Sequence, residues 1–468
     1  MGRTAMTRSL TVICCLVFIA LAQGCSKPTP NQPLRSVGMF KVDGTMPFTE
    51  TGFNLVPGQY YEFRHRAGTV CIQPERRCAP PRGNDLSGEE AWGLYLKVGD
   101  DLVHVRDGII LTVQKETPLT FYVPDGEELA WSEEHLPLYA DNSGFWDIEV
   151  LTFEEAPEPE FIRGISVTSY SPDGYCSTDM VKLLNRIRAL GANSVQFVAV
   201  MQTDGDRIFP ADHSPRTFCL IKATDTALAV GLKVTWNLHV DPPGDQWRGA
   251  LKPKDKDKFF AEYRQTALFY AKLAQDHGVH SFVPATEMVS LMENKADRDR
   301  WLSIFLELHS VFFGSIFYAA DRTEYHYLGI DFWHTCCDEV GITPWYTLTT
   351  EMHPTYDELA RTWEPIVKQL EQFSEKVKMR IVLTEGPGYR AIEGCNIAPA
   401  EYWTKRDGNV LCQTETYKAF LQAFPPARRN VIAGHFVWEV TAPGEETSEY
   451  SPLERITEGV LLQEWKKK

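Results

Sequence analysis

Between residues 37 and 153 apolar and polar positions alternate in short runs, and from residue 160 onward apolar strands give way to helical stripes. In the first region the runs 60–65, 93–98, 109–113, 119–123 and 146–151 are separated by Gly, Pro and Asp, with no helical stretch between them. Period-2 alternation at this spacing predicts a β-sandwich. In the second region buried strands are expected to start near Phe161, Ser194, Lys233, Ser281, Ser315, Gly341, Arg380 and Val431. Helical patterns lie between them. Ser177 is placed to cap a segment with apolar Met180, Leu184, Ile187 and Leu190, ended by Gly191. Phe259, Tyr263, Ala267, Tyr270 and Ala274 line a second helix, ended by Gly278. Eight strand-then-helix units in about 300 residues predict an α/β fold, a closed parallel (β/α)₈ barrel. The competing topology is an open doubly wound sheet, but no Gly-rich phosphate loop follows any strand.

Residues 1–24 belong outside this fold. Arg3 and Arg8 precede an apolar stretch from Leu10 to Leu21, too short to span a bilayer stably, and then come Ala22-Gln-Gly-Cys25 and a Pro-rich polar tether. The arrangement resembles a bacterial lipoprotein signal, which implies cleavage before Cys25, a lipid on that cysteine, and anchorage in the cell envelope, at the outer membrane or cell surface. The alternative is an ordinary secretory peptide. The expected organisation is a signal over 1–24, a lipidated tether over 25–36, a β-sandwich over 37–153 and a barrel over 160–468. Of 11 cysteines, eight remain beyond Cys25, an even number that permits disulfides after export. Candidate pairs are Cys71 with Cys78, Cys176 with Cys219, and Cys395 with Cys412. A formal charge of −16 excludes nucleic acid as a partner, because phosphate contacts need clustered Lys and Arg. The basic run 252–258 is interrupted by acids and reads as a solvated loop.

Chemistry in such a barrel sits at the C-terminal ends of the strands. Two of them end in a carboxylate: Ser281-Phe-Val-Pro-Ala-Thr-Glu287 on the fourth and Arg380-Ile-Val-Leu-Thr-Glu385 on the seventh. Strands three units apart in an eight-fold ring face each other across the mouth. Retaining glycosidases need two carboxyls about 5–5.5 Å apart, one as nucleophile and one as acid/base. Glu385 is the candidate nucleophile and Glu287 the candidate acid/base. Asn237 and His239 alternate on the third strand and offer groups for sugar hydroxyls, while Trp236, Trp247, Trp345, Tyr346 and Trp438 are candidates for stacking on sugar faces. Glu439, beside Trp438, is a competing carboxylate that strand alternation should turn away from the site. His334-Thr-Cys-Cys-Asp338 fits no familiar zinc spacing and reads as a helix packed on the barrel. No cofactor is expected for the barrel.

Several segments carry a family resemblance. Gly231-Leu-Lys-Val-Thr-Trp-Asn-Leu-His-Val-Asp241, Trp247-Arg-Gly249, Ala285-Thr-Glu-Met288, Leu383-Thr-Glu-Gly-Pro-Gly-Tyr-Arg390, Phe436-Val-Trp438 and Ser451-Pro-Leu-Glu454 resemble, in barrel order, glycoside hydrolase family 113. The resemblance implies a retaining hydrolase of a β-linked polysaccharide, most closely of the β-1,4-mannan type. One departure stands out: in Val340-Gly-Ile-Thr-Pro-Trp-Tyr346, Thr343 replaces the family's usual Asp, leaving either Trp345 or Tyr346 to touch the nucleophile. The N-terminal segments Gly93-Leu-Tyr-Leu-Lys-Val-Gly-Asp100 and Asp141-Asn-Ser-Gly144 resemble galactose-binding lectin-like jelly-roll domains. That family holds calcium near this turn, and Asp141, Asn142 and Glu133 are the oxygen ligands available here, although the family's upstream Asn-Asp pair is missing. The bland reading of Asp141-Asn-Ser-Gly144 is a tight turn. Against the enzyme stands a non-catalytic glycan-binding or structural envelope lipoprotein that retains the barrel.

Overall fold

The computed structural model describes residues 35–467 apart from 69, 73–76, 80–92, 99–100, 106–108, 125–138, 140–141, 154–158, 245 and 402–403. The signal, Cys25 and the tether through residue 34, Glu133 and Asp141, and the side chains of Cys71 and Cys78 lie outside the described residues. The chain divides near residue 157 into two compact units.

The first unit is a β-sandwich of antiparallel sheets. In one, Ser143–Phe153 pairs with Arg35–Asp43 on one side and Tyr60–Ala67 on the other, and Tyr60–Ala67 continues to Ile109–Thr112. In the other, Thr117–Tyr122 lies between Phe48–Leu55 and Tyr95–Val98, with Asp101–His104 beyond. Alternation along Tyr60–Ala67 buries Tyr61, Phe63 and His65, and Ser143–Phe153 adds Trp146, Ile148 and Val150. Phe63 meets Phe121 of the facing sheet edge-on at 6.3 Å, which closes the two sheets over one core. The Asn142 side-chain amide donates to the Gly44 carbonyl at 3.1 Å, a structural use of the residue named above as a calcium ligand.

The second unit is a closed barrel. Its strands are β1 (Ile162–Thr168), β2 (Ser194–Thr203), β3 (Lys233–Asp241), β4 (Ser281–Val283), β5 (Ser315–Ile316, resuming at Ala319–Asp321), β6 (Val340–Thr343), β7 (Ile381–Leu383) and β8 (Ile432–Thr441). All neighbouring pairs are parallel, and β8 returns to β1. The two pieces of β5 complete the ring, Ser315–Ile316 pairing with β4 and Ala319–Asp321 with β6. Closure excludes the open sheet. Both faces of each strand are covered, so nine of the ten residues of β2 and nine of the ten of β8 are buried.

The connecting helices follow the apolar stripes, with two corrections. Met180–Ala189 buries Met180, Leu184 and Ile187, but it starts after Asp179 and Ser177 lies outside it. Only the front of the run 252–258 is loop: Asp255 caps Lys256–Asp276 by accepting from the Lys258 amide, and Lys256 pairs with the buried Asp297. Cys176–Cys219 and Cys395–Cys412 are disulfides, and a third joins the adjacent Cys336 and Cys337. Those two cysteines end the helix Ile330–Cys336, whose Phe332 and Trp333 pack on the barrel. Among the described residues no helix is long and apolar enough to cross a membrane.

Candidate active site

Glu287 follows β4 and Glu385 follows β7, and both side chains are buried at the mouth, 7% and 4% exposed. Each holds one indole N–H. Trp247 donates to Glu287 Oε2 at 2.8 Å, and Trp345 donates to Glu385 Oε2 at 2.9 Å. Glycine makes both contacts possible. A Cβ at Gly249 would lie 2.4 Å from the Trp247 ring, and one at Gly388 would lie 2.6 Å from the Trp345 ring. Trp247 is 48% exposed and forms part of the open rim, whereas Trp345 is almost covered. Glu287 stands at φ 52°, a left-handed conformation that costs a non-glycine residue about 1–3 kcal/mol and persists only where its surroundings enforce it.

The remaining walls come from β3, β6 and β8. His239 Nε2 is 3.4 Å from Glu385 Oε1, and its ring stacks on Trp438, 5.6 Å between centroids and 16° between planes. Asn237 accepts from the Thr286 hydroxyl at 2.8 Å, and its Nδ2 has no protein partner. Thr343 donates its hydroxyl to Glu287 Oε1 at 2.7 Å, with the Ala320 carbonyl at 3.1 Å as its other neighbour. The position where the resemblance expected an acid thus holds a neutral donor on the acid/base candidate. Two stacking candidates are corrected. Trp236 is fully buried and donates to Thr224 of the helix Thr217–Val230, on the far face of β3. Tyr346 packs edge-on against Trp363 at 5.9 Å, and it is Trp345 that reaches the nucleophile candidate.

Arg248 and Tyr170, the partner of the competing carboxylate Glu439, escaped the sequence reading. Arg248 binds Asp241 at the end of β3 at 2.7 Å, and the negative charges of Asp241, Glu287 and Glu385 hold its guanidinium charged despite burial. Its one signal was its place beside Trp247. Glu439 turns toward the Tyr170 and Ser448 hydroxyls, each at 3.0 Å, yet stays buried and close enough to feel the Glu385 charge.

The electrostatics follow from burial. Desolvation lifts Glu287 to about 7, with the neighbouring Glu385 charge adding to it and Arg248, Trp247 and Thr343 opposing. Desolvation also raises Glu385, against Arg248 and the Trp345 donor. The Glu385 charge favours the proton staying on Glu287 beside it. Burial and Arg248 push His239 well below its ordinary value, which makes it a neutral imidazole.

A (β/α)₈ barrel whose mouth holds two buried carboxyls, from β4 and β7, each on an indole donor, defines the class: a glycosidase. The particular family follows from the sequence. Residues 177–451 match the model of Glycoside Hydrolase Family 113, and the chain belongs to that family. Among solved structures, a family-113 β-1,4-mannanase is 19% identical with a TM-score of 0.56, covering 66% of this chain and 100% of its own. The family-113 β-mannanase from Alicyclobacillus acidocaldarius, in complex with ManMIm, is 20% identical with a TM-score of 0.55, covering 65% and 97%. At these identities the likeness establishes the fold. No curated protein sequence matches the chain.

Proposed function

We propose that this glycosidase is a retaining β-glycanase acting on polysaccharide of the β-1,4-mannan type, with Glu385 as nucleophile and Glu287 as acid/base. The observation that carries the reading is the pair of buried carboxyls at the ends of β4 and β7, each accepting from its own indole donor. Ionised Glu385 attacks the anomeric carbon and forms a glycosyl ester, while Glu287 gives its proton to the departing glycosidic oxygen. Esterification removes the Glu385 charge, so the proton affinity of Glu287 falls and it becomes a base. Glu287 then takes a proton from water, the hydroxide oxygen displaces Glu385, and configuration at the anomeric carbon is retained. Asn237 and His239 bind sugar hydroxyls, and Trp247 and Trp438 offer ring faces to the sugar. The mannan assignment is supported by the quoted motifs and by the activity named for the structural neighbours.

The test is trapping with an activated 2-deoxy-2-fluoro-mannoside and its gluco counterpart on a chain starting at Ser26, read by intact and peptide mass spectrometry. The expected result is a stable adduct on Glu385, absent from Glu385→Gln. An adduct on another residue would refute the assignment, and capture by the gluco probe alone would refute the mannan reading. The sandwich is read as a lectin-like jelly-roll that brings the barrel to glycan, and Cys25 as the site of a lipid anchor in the envelope. Incorporation of an alkynyl palmitate that survives Cys25→Ala would refute the anchor.

A further inference from the structure

Two buried groups beside Glu287 take no part in the chemistry above. Tyr318 lies between the two pieces of β5, and Glu324 opens the short turn Glu324–His326 that follows; both are 0% exposed. The Tyr318 hydroxyl donates to the Glu324 carboxylate, 2.8 and 3.0 Å from its two oxygens, and accepts the Met288 backbone N–H at 2.8 Å. Glu324 also accepts the Asp321 N–H at 2.6 Å. Met288 is the residue after Glu287, and the Glu287 N–H itself donates to the Ala319 carbonyl at 2.8 Å. Tyr318 and Ala319, neighbours on β5, therefore fix the peptide on each side of the left-handed residue. A tyrosine hydroxyl rotates about its C–O bond and can offer either its hydrogen or a lone pair. With Glu324 taking the hydrogen, the oxygen is left to accept from Met288, which fixes that peptide and, through it, the left-handed backbone. Among the described residues no cation is bonded to Glu324, so an ion pair there does not account for burying this carboxylate, whereas orienting a hydroxyl does.

We propose that Tyr318 and Glu324 are positioning residues for Glu287: Glu324 orients the Tyr318 hydroxyl, which holds the Met288 peptide and keeps the Glu287 carboxyl aimed at the leaving oxygen. The inference rests on Glu287 being the acid/base. A misaimed acid matters most for a leaving group that cannot depart without a proton, and least for dinitrophenolate. The experiment compares Tyr318→Phe with the wild-type chain on an unactivated oligosaccharide and on a 2,4-dinitrophenyl glycoside of the same sugar, the latter as first-turnover dinitrophenol release. Tyr318→Phe is expected to lose about 10- to 100-fold in kcat/KM on the oligosaccharide and less than about threefold in dinitrophenol release. Equal losses on both substrates, or none on either, would overturn the proposal. Glu324→Gln keeps an oxygen for the hydroxyl and should show the same selectivity at about threefold size, so it decides the matter if Tyr318→Phe does not fold. Glu287→Gln run in parallel separates the two levels. If it lacks the leaving-group selectivity, the acid/base assignment fails; if it has it and both other variants do not, the positioning role alone fails.

Discussion

Replacing Thr343 with valine should move the alkaline limb of the pH profile upward. The two side chains have nearly the same shape, so the change deletes one hydroxyl at a fully buried position. That hydroxyl is 2.7 Å from Glu287 Oε1 and 3.1 Å from the Ala320 carbonyl. When Glu287 is ionised the hydroxyl donates to it, a charge-assisted bond of about 1.5–3 kcal/mol; when Glu287 is protonated the hydroxyl can turn to Ala320, a neutral bond of about 0.5–1.5 kcal/mol. The difference, about 1 kcal/mol, stabilises the ionised form and corresponds to about 0.7 pH unit. Removing it leaves Glu287 holding its proton to higher pH. The alkaline limb of kcat/KM reports the acid in the free enzyme, so in Thr343→Val it should shift up by about 0.7 unit, with the acid limb nearly unmoved. Profiles of both proteins between pH 4 and 10 on an unactivated oligosaccharide measure this. A downward shift would mean that Thr343 serves the protonated acid, and no shift would mean that its hydroxyl does not act on Glu287.

Trp345→Phe keeps the aromatic wall against Tyr450 but removes the N–H on Glu385. It should lower kcat/KM by about 10-fold and slow trapping by the fluoro-glycoside, and unchanged trapping would refute a role for that donor. Arg248→Met withdraws the cation that depresses both carboxyls, so both move up, and the acid limb of kcat/KM should shift upward by about 1 unit. An acid limb that stays in place would show that Arg248 is too well screened to matter. Removing Cys176–Cys219 as the double serine variant opens a loop of 43 residues, about 4 kcal/mol in the chain-entropy account. Calorimetry should show the barrel transition falling by roughly 10 °C, and an unchanged Tm would refute that stabilisation.

The barrel was legible because its strands are covered on both faces: runs such as Ser194–Thr203 carry almost no outward polar position, and four strand starts were read at the observed residue. The break in β5 was not legible, since nothing in Phe317-Tyr318 marks a change of partner strand. In the sandwich Phe48–Leu55 was missed because, of its eight residues, only Leu55 is fully buried, and Arg35–Asp43 because a register shift at Gly38 interrupts its alternation. Both carboxylates were found because a charge ending an apolar strand is a local signal. The choice between Trp345 and Tyr346 was not local. Backbone bonds from Trp345 to Thr343 and from Tyr346 to Pro344 form a tight turn there, sending one ring to Glu385 and the other to Trp363. Arg248 and Tyr170 sit on loops, where side-chain direction depends on tertiary contacts rather than on period.

The charge inventory of the mouth explains why a neutral residue suits position 343. Asp241, Glu287 and Glu385 are gathered around the Arg248 guanidinium, Glu439 lies close enough to feel Glu385, and His239 contributes no charge. Full ionisation would leave the pocket strongly negative in a desolvated setting, so protons stay: burial raises Glu439, and Glu287 holds its proton to about 7. An aspartate at position 343 would press another negative charge on Glu287 and raise it further. That would keep Glu287 protonated to higher pH while making it a weaker acid toward the leaving oxygen. A threonine hydroxyl biases Glu287 modestly the other way, because it can donate to the ionised form and turn away from the protonated one. The swing in proton affinity then falls to Glu385 alone, whose charge vanishes on esterification and returns on hydrolysis, in step with the proton Glu287 must give and regain.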